Sequence, residues 1–251
     1  EELSAVLDLL PDERKTVVAG REFWVGHLHG HEVVAVLSRI GKVAAATTAT
    51  LLIERFGAQR IVFTGVAGGL GDGVQVGDVV VARQFAQHDM DASPLFPRHE
   101  VPLYGLTRFV TDVALSNELA QAASAMLADA PRTLGADTLR AFGLQSPRLH
   151  QGLVLSGDRF VATAAESEAL SRDWPDALAV EMEGAAIAQV CHDAGVPFAA
   201  VRTISDRADD AAHVDFVRFI RAVASRYSAA LVDAWLRSEE HTSELQSRQY
   251  L

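Results

Sequence analysis

The sequence predicts an α/β protein in which helices cover a central mixed sheet. Short apolar runs rich in Val and Ala alternate with segments whose apolar residues recur at helical spacing. Hydrophobic residues make up 49% of the chain and aromatic residues only 7%, a composition typical of buried strands packed under helices. The 251 residues are enough to bury a substantial core, and we expect one domain.

The predicted elements follow one another along the chain. The apolar spacing predicts an amphipathic helix at the start, strands at about 32–37, 60–64, 78–82, 151–155 and 198–201, and helices at about 40–56, 114–129, 185–191 and 214–236. Residues 83–113 have no clear periodicity. The short run at 179–180 is also predicted to end a strand.

The most informative segment spans residues 179–206, where polar groups stand at the ends of apolar runs. Glu181 and Glu183 follow one run, and Arg202 and Asp206 follow the next. An unpaired charge at the end of a buried strand is costly, and open α/β sheets bind ligands at such strand ends. We therefore predict that a polar substrate binds there. Acidic residues at a helix start also interact favourably with the helix dipole, and that alternative stays open.

Asp206 is the candidate general acid. It follows Ser205, whose hydroxyl could orient the carboxylate. An aspartate partly removed from water has a raised pKa and can hold a proton at neutral pH. General acid catalysis of this kind contributes roughly 10²–10⁴-fold to a rate.

A glycine-rich run at 65–69 has some likeness to a dinucleotide-binding loop. Such a loop must open a helix that receives the pyrophosphate, but the next predicted element is a strand. We therefore reject NAD binding. A tight crossover between strands and a close approach of ligand to backbone remain as alternatives.

For two further features we favour a structural explanation over a functional one. A straight strand would place His27, His29 and His31 on one face, as a metal site would need, but Gly30 breaks the strand and a polar hairpin is the better prediction. Cys191 lies among apolar residues of a predicted helix, so we expect a buried, inert thiol rather than a nucleophile.

The charge and the cysteine count limit the function classes. A net charge of −11 argues against binding to nucleic acid, whose phosphates require a basic face. The single cysteine fits a reducing compartment. Because the sequence lacks an apolar run of about 18 residues and a signal-peptide pattern, we expect a soluble cytoplasmic protein.

Five motifs together resemble one known family. They are VEMEG (180–184), VRTISD (201–206), SGDRF (156–160), IGKVAAA (40–46) and TGVAGGL (64–70). In this order they are similar to the 5′-methylthioadenosine/S-adenosylhomocysteine nucleosidases of the nucleoside phosphorylase superfamily. The resemblance implies a three-layer α/β/α fold with a central mixed sheet, a homodimer, and hydrolysis of an N-glycosidic bond without metal or organic cofactor.

The resemblance also implies roles at the purine and the scissile bond. Asp206 would protonate adenine N7, and Ser205 would hold its side chain. Phe160 would stack on the purine, while main-chain groups of Phe160 and Val161 would bind the purine edge. Arg202 would lie near the sugar and the attacking water.

Further implied roles concern the sugar and the water. Glu183 and Met182 would bind the ribose, and Glu2, counted back from the GKVAAA motif, would be the base that activates water. Glu1 remains an alternative to Glu2. The predicted substrate site is completed by Ile40, Val66 and Gly68. Family members often carry Ser at the position of Val66, so a contact from that position is in question.

The segment 88–103 corresponds to the region that borders the 5′ substituent and reaches the partner subunit in the family. Its sequence differs from the better-known version, and Phe96, Pro97 and Leu103 are the candidates for the apolar role. The alternatives left open are a purine nucleoside phosphorylase, another purine nucleoside hydrolase of the futalosine type, and a nucleoside-binding module without catalysis. A phosphorylase would need an arginine-rich phosphate site where this sequence has two glutamates.

Both ends of the chain depart from the family pattern. The family's first strand has no counterpart before the opening helix, and we expect it to be missing. Residues 237–251 resemble the translation of a sequencing-adapter oligonucleotide, so we expect the domain to span residues 1–236 and this tail to be non-native.

Overall fold

The computed structural model describes residues 2–208 and 216–248. The strands are β1 (Arg14–Val18), β2 (Arg21–Leu28), β3 (His31–Val36), β4 (Ile61–Gly69), β5 (Val79–Gln87), β6 (Phe109–Val110), β7 (Leu149–Ser156), β8 (Ala177–Glu181) and β9 (Phe198–Asp206). The helices are α1 (Glu2–Leu7), α2 (Lys42–Phe56), α3 (Val113–Ala128), α4 (Ala130–Leu134), α5 (Ala136–Ala141), α6 (Ala164–Asp173), α7 (Gly184–Ala194), α8 (Phe216–Phe219), a π-helical turn (Ile220–Ala224) and α9 (Ser225–Arg248).

The central sheet is mixed, as predicted. Its strand order is β6-β5-β7-β8-β4-β9, and β5 also pairs with β9, so the strands from β5 to β9 close on themselves. β4 and β9 are parallel, as are β5, β7 and β8, whereas β4–β8 and β5–β9 are antiparallel. β1, β2 and β3 form a separate antiparallel sheet.

Helices cover both faces of the central sheet, which confirms the three-layer prediction. Neighbouring residues of a strand point to opposite faces, and β5 shows this clearly. Val79 packs with Leu119 of α3 and Tyr227 of α9 in one core, while Val80 packs with Ile187 of α7 in the other. The sheet is therefore buried on both sides, in agreement with its runs of Val and Ala.

Several element ends differ from the prediction. β4 continues through Gly69, β5 through Gln87 and β9 through Asp206, beyond the points where the apolar runs stop. β9 is buried along its whole length, and partners inside the protein bind the side chains of Arg202, Ser205 and Asp206. An apolar pattern cannot reveal such a strand end. The sequence also gave no signal for β1, α4, α5 and α6.

The last helix was predicted to end at Leu236, but α9 continues through Arg248. Polar pairs extend it where the apolar period stops. Arg237 binds Asp233 at 2.6 Å, and Arg60 binds both carboxylate oxygens of Glu239 at 2.5 and 2.6 Å. The predicted start of this helix at 214 lies outside the described residues.

The hairpin prediction at the histidines is confirmed. β2 and β3 pair up to Leu28 and His31, and the connecting residues His29 and Gly30 have φ of 49° and 77°. His27 binds Asp12 and His29 binds Asp233, each at 2.8 Å, so the two histidines are held by separate carboxylates. Across the described ranges, His, Cys, Asp and Glu side chains form no cluster of three that could hold a metal. None of the helices in those ranges is long and apolar enough to cross a membrane.

Candidate active site

The predicted site residues line one cavity of about 960 Å³. Its walls come from β3 and β4, from α1, from the ends of β8 and β9, and from the loop after β7. All eleven residues singled out in the sequence contribute to it: Glu2, Ile40, Val66, Gly68, Phe160, Val161, Met182, Glu183, Arg202, Ser205 and Asp206.

The register of two parallel strands explains how distant residues meet. β4 and β9 are neighbours, and their pairing places Gly65 opposite Arg202 and Gly68 opposite Asp206. A side chain on either glycine would meet these residues, because a Cβ on Gly65 would overlap Arg202 and one on Gly68 would lie 3.0 Å from Asp206 Oδ1. The glycines therefore make room for the protein's own functional groups. A strand, β5, follows this run, which agrees with the rejection of NAD.

Asp206 is held by hydrogen bonds at both carboxylate oxygens. The Ser205 hydroxyl donates to Oδ2 at 2.7 Å, as predicted, and the Ala208 amide donates to Oδ1 at 2.8 Å. The residue is 8% exposed. Asp206 is thus oriented at the cavity wall and largely shielded from water.

Arg202 is paired with Glu181, a residue to which the sequence alone gave no distinct role. Both side chains are only 2% exposed, and the Arg202 guanidinium donates to Glu181 Oε2. Glu181 also accepts from the Ser156 hydroxyl and from the Gly184 amide at 2.9 Å. These bonds compensate the burial of the two charges. The sequence could have indicated only that a buried arginine needs a carboxylate partner, because the identity of that partner depends on how the strands are ordered.

Phe63 packs against the flat face of the Arg202 guanidinium. Its ring centre lies 3.8 Å from Arg202 Cζ, a cation–π arrangement. Arg202 Nη2 is also 3.8 Å from Glu183 Oε2. In the part of the chain that the structure describes, Arg202 Nε is buried without a hydrogen-bond partner. The arginine is therefore held rigidly yet retains one donor.

Glu183 lies at the start of α7 and reaches across to α2. Its Oε1 accepts a hydrogen bond from the Gly41 amide at 2.9 Å. Burial raises the pKa of the Glu183 carboxyl above its usual value, against the opposing effect of Arg202. The dipole alternative for the two glutamates is only part of their role, because Glu181 pairs with Arg202 and Glu183 accepts from the Gly41 amide.

Glu2 brings a further carboxylate into the cavity. Burial raises the pKa of its carboxyl, although the nearby Arg202 charge lowers it. Within residues 2–208 and 216–248, Glu2 Oε1 is buried and accepts no hydrogen bond. An acceptor of this kind can receive a proton from a water molecule or a hydroxyl group in the cavity.

The aromatic wall is formed by Phe160, which is 48% exposed and makes an edge contact with Phe216 at 6.0 Å between ring centres. An exposed ring at a cavity mouth is available for stacking. By contrast, Phe96, Pro97 and Leu103 do not line the cavity of their own chain, and Leu103 is 91% exposed. Their role at the 5′ substituent, which the resemblance assigns to the region that reaches the partner subunit, stays a prediction.

Cys191 is buried in α7, as expected. Burial raises the pKa of its thiol to about 12. The residue stands outside the cavity lining, so the nucleophile alternative has no support.

Comparison with known proteins gives consistent similarities. The sequence profile of the phosphorylase superfamily matches residues 1–237. A 5′-methylthioadenosine/S-adenosylhomocysteine nucleosidase from Shewanella halifaxensis is 34% identical over 236 residues, covering 94% of each chain. The crystal structure of such a nucleosidase from Neisseria meningitidis, in complex with methylthio-immucillin-A, superposes with a TM-score of 0.82 at 33% identity and 94% coverage of both chains. Futalosine hydrolase from Helicobacter pylori superposes with a TM-score of 0.80 at 32% identity, covering 94% of this chain and 93% of its own.

Proposed function

We propose that this chain, which belongs to the phosphorylase superfamily and within it to the 5′-methylthioadenosine/S-adenosylhomocysteine nucleosidases, hydrolyses the N-glycosidic bond of those two nucleosides. The products are adenine and the corresponding thioribose sugar. The observation that supports this most directly is that two carboxylates of different character line one cavity: Asp206, oriented by Ser205, and Glu2, with an unpartnered buried oxygen.

The departure of adenine is assigned to Asp206. In its protonated form, it donates to N7 of the purine and converts adenine into a neutral leaving group. Ser205 and the Ala208 amide fix the carboxyl so that it need not reorganise during the reaction. Phe160 stacks on the purine, and the backbone of Val161 binds its edge.

Capture of the sugar is assigned to Glu2, Glu183 and Arg202. As the bond breaks, the ribosyl group becomes cationic, and ionised carboxylates in a shielded site stabilise that charge by several kcal/mol. Glu183 and Met182 bind the ribose, since a carboxylate accepts bonds from both hydroxyls of a diol. Glu2 takes a proton from the attacking water, which Arg202 helps to orient.

The first rival is a phosphorylase, in which phosphate replaces water. Two features weigh against it: the cavity holds Glu2, which would repel phosphate, and Arg202 is already engaged by Glu181. The second rival is a hydrolase of futalosine, and the similarity to the Helicobacter pylori enzyme supports this alternative. The third, a non-catalytic binding module, is disfavoured because both an acid and a base candidate line the cavity.

The proposed function is tested with a panel of nucleosides at matched concentration. We expect adenine release from methylthioadenosine and S-adenosylhomocysteine, and little base release from futalosine. Base release from futalosine alone would assign the second function instead. Binding of methylthioadenosine without release would identify a binding module.

We also propose a homodimer in which the loop with Phe96, Pro97 and Leu103 covers the 5′ end of the substrate bound by the partner copy. Its support is the exposure of two large apolar side chains, Leu103 at 91% in that loop and Ile40 at 78% in the cavity lining. Light scattering should give twice the chain mass. A Leu103→Glu variant should weaken both the dimer and the affinity for 5′-thio substrates, whereas a parent protein of single-chain mass would contradict the proposal.

Residues 1–236 are proposed as one catalytic domain, in keeping with the extent of the superfamily match. A cytoplasmic location stays a prediction that rests on the single cysteine.

A further inference from the structure

Three loops meet beside the cavity at the start of α2. The loop after β3 leads to Lys42, the first residue of α2. The loop after β5 contains Asp89, and the loop after β7 contains Asp158. α2 has Gly41 at its N-cap, with φ of 93° and no side-chain cap of its own. Its first amide groups must therefore find acceptors elsewhere.

Carboxylates from the other elements supply these acceptors. The Gly41 amide donates to Glu183 at 2.9 Å, and the Lys42 amide donates to Asp158 Oδ1 at 2.8 Å. Carboxylates at a helix N-terminus are also favoured by the helix dipole. The start of α2 is thus tied to the ribose-binding glutamate and to the loop that leads to Phe160.

The Lys42 side chain closes a ring of three hydrogen bonds. Its Nζ donates to Asp89 Oδ1 at 2.6 Å, and the Asp158 amide donates to Asp89 Oδ2 at 2.8 Å. The Lys42 amide donates to Asp158, which completes the ring. Nζ also donates to Gln87 at 3.0 Å. Burial of Asp89 would raise the pKa of its carboxyl, but the bonds from Lys42 and Asp158 outweigh this and lower it. The carboxylate is therefore ionised, and its contact with the ammonium group is a charge-assisted bond.

The ring lies next to the site without entering it, because Lys42, Asp89 and Asp158 stand outside the cavity lining. Asp158 is nevertheless two residues from Phe160, and Gly41 is adjacent to Lys42. A change in these hydrogen bonds therefore displaces the Phe160 side chain through one loop and Glu183 through the other.

We propose that Lys42 is a positioning residue that, through Asp89 and Asp158, sets the distance between the purine-binding loop and the ribose-binding Glu183. The inference rests on the proposed function for its kinetic consequence, although the structural role can be tested without substrate. Loss of the Lys42 side chain should affect substrate binding rather than the chemical step, because Lys42 contacts neither Asp206 nor Glu2.

The first test is hydrogen exchange of the ligand-free protein. Lys42→Met shortens the side chain by one atom, keeps its apolar part and removes its charge. We expect faster amide exchange in peptides covering 38–42 and 157–161, with the thermal unfolding temperature close to that of the parent. Lys15→Met is the matched control, since Lys15 binds Glu22 at 3.0 Å on the β1–β2 hairpin, and it should leave both peptides unchanged. Unchanged exchange at 157–161 in Lys42→Met would overturn the proposal.

The second test is steady-state kinetics with methylthioadenosine. For Lys42→Met, we expect KM to rise about tenfold, as for the loss of one charge-assisted hydrogen bond, with kcat within about threefold and the shape of the pH profile unaltered. Asp89→Asn should behave alike, and the double variant should be no worse than either single variant because the two residues act together. An unchanged KM, a fall in kcat alone, or additive losses would each contradict the role.

Failure of the proposed function would be recognised separately. If the parent protein released no adenine, that function would be wrong, while the exchange measurement would still decide whether Lys42 holds the two loops together.

Discussion

Gly65→Ala tests whether the site depends on the rigid placement of Arg202. The φ of Gly65 lies outside the left-handed region, so an alanine is compatible with the backbone. Its Cβ, however, would overlap Arg202 Nη1 and lie 3.4 Å from Cζ. The guanidinium has little freedom to yield, because it is 2% exposed, paired with Glu181 and stacked on Phe63.

The magnitude follows from the displacement that relieves this overlap, which is on the order of 1 Å for carbon and nitrogen atoms at normal contact. A misplacement of that size at a reacting centre can cost about 10²-fold in rate, or about 2.7 kcal/mol of transition-state stabilisation. We therefore expect kcat/KM for methylthioadenosine to fall on the order of 100-fold.

The assay is adenine release, run beside thermal unfolding so that loss of fold is recognised. Gly69→Ala is the matched control, because it lies on the same strand and its Cβ would lie 3.2 and 3.3 Å from apolar atoms of Ile204 and Val74, with the Asp206 backbone oxygen at an ordinary contact distance of 3.6 Å. That variant should keep kcat/KM within about threefold, an estimate for a small shift of apolar neighbours. A folded Gly65→Ala protein as active as the control would refute the reasoning.

Three other predictions concern single groups. Asp206→Asn should abolish adenine release and leave nucleoside binding, measured by calorimetry, largely intact; equal loss of both would make Asp206 a binding or structural residue. In the parent, kcat/KM should fall as pH decreases through a pKa above the ordinary glutamate value of about 4.3, because burial raises the pKa of Glu2 and a protonated Glu2 cannot accept a proton. An acid limb at or below about 4.3 in the pH–rate profile would count against that assignment. Cys191 should resist a thiol-reactive dye at pH 8 in the native protein and react after unfolding, since the pKa of its thiol is raised to about 12; rapid native labelling would show that the thiol is accessible.

The sequence predicted the fold class well, and the eleven residues assigned to catalysis and substrate binding line one cavity, for identifiable reasons. Buried strands and amphipathic helices leave periodic patterns, and the five motifs form a specific set, so the family resemblance is confirmed by the relatives. Ser205 and Asp206 are neighbours in the chain, and their hydrogen bond could be anticipated from that alone.

Contacts between distant residues were harder to predict. The pairing of Arg202 with Glu181 requires β8 and β9 to lie on either side of β4, and the close approach of Gly65 to Arg202 depends on strand register. Likewise, Lys42 belongs to a quoted motif, but its bond to Asp89 requires three loops to converge. Local patterns contain no information on such long-range geometry.

The central claim is that water, rather than phosphate, captures the sugar. The most direct test measures adenine release from methylthioadenosine by the dialysed protein, with and without added phosphate, and identifies the sugar product. We expect the same rate in both conditions and free methylthioribose as the product. Release that requires phosphate and yields a sugar phosphate would contradict it.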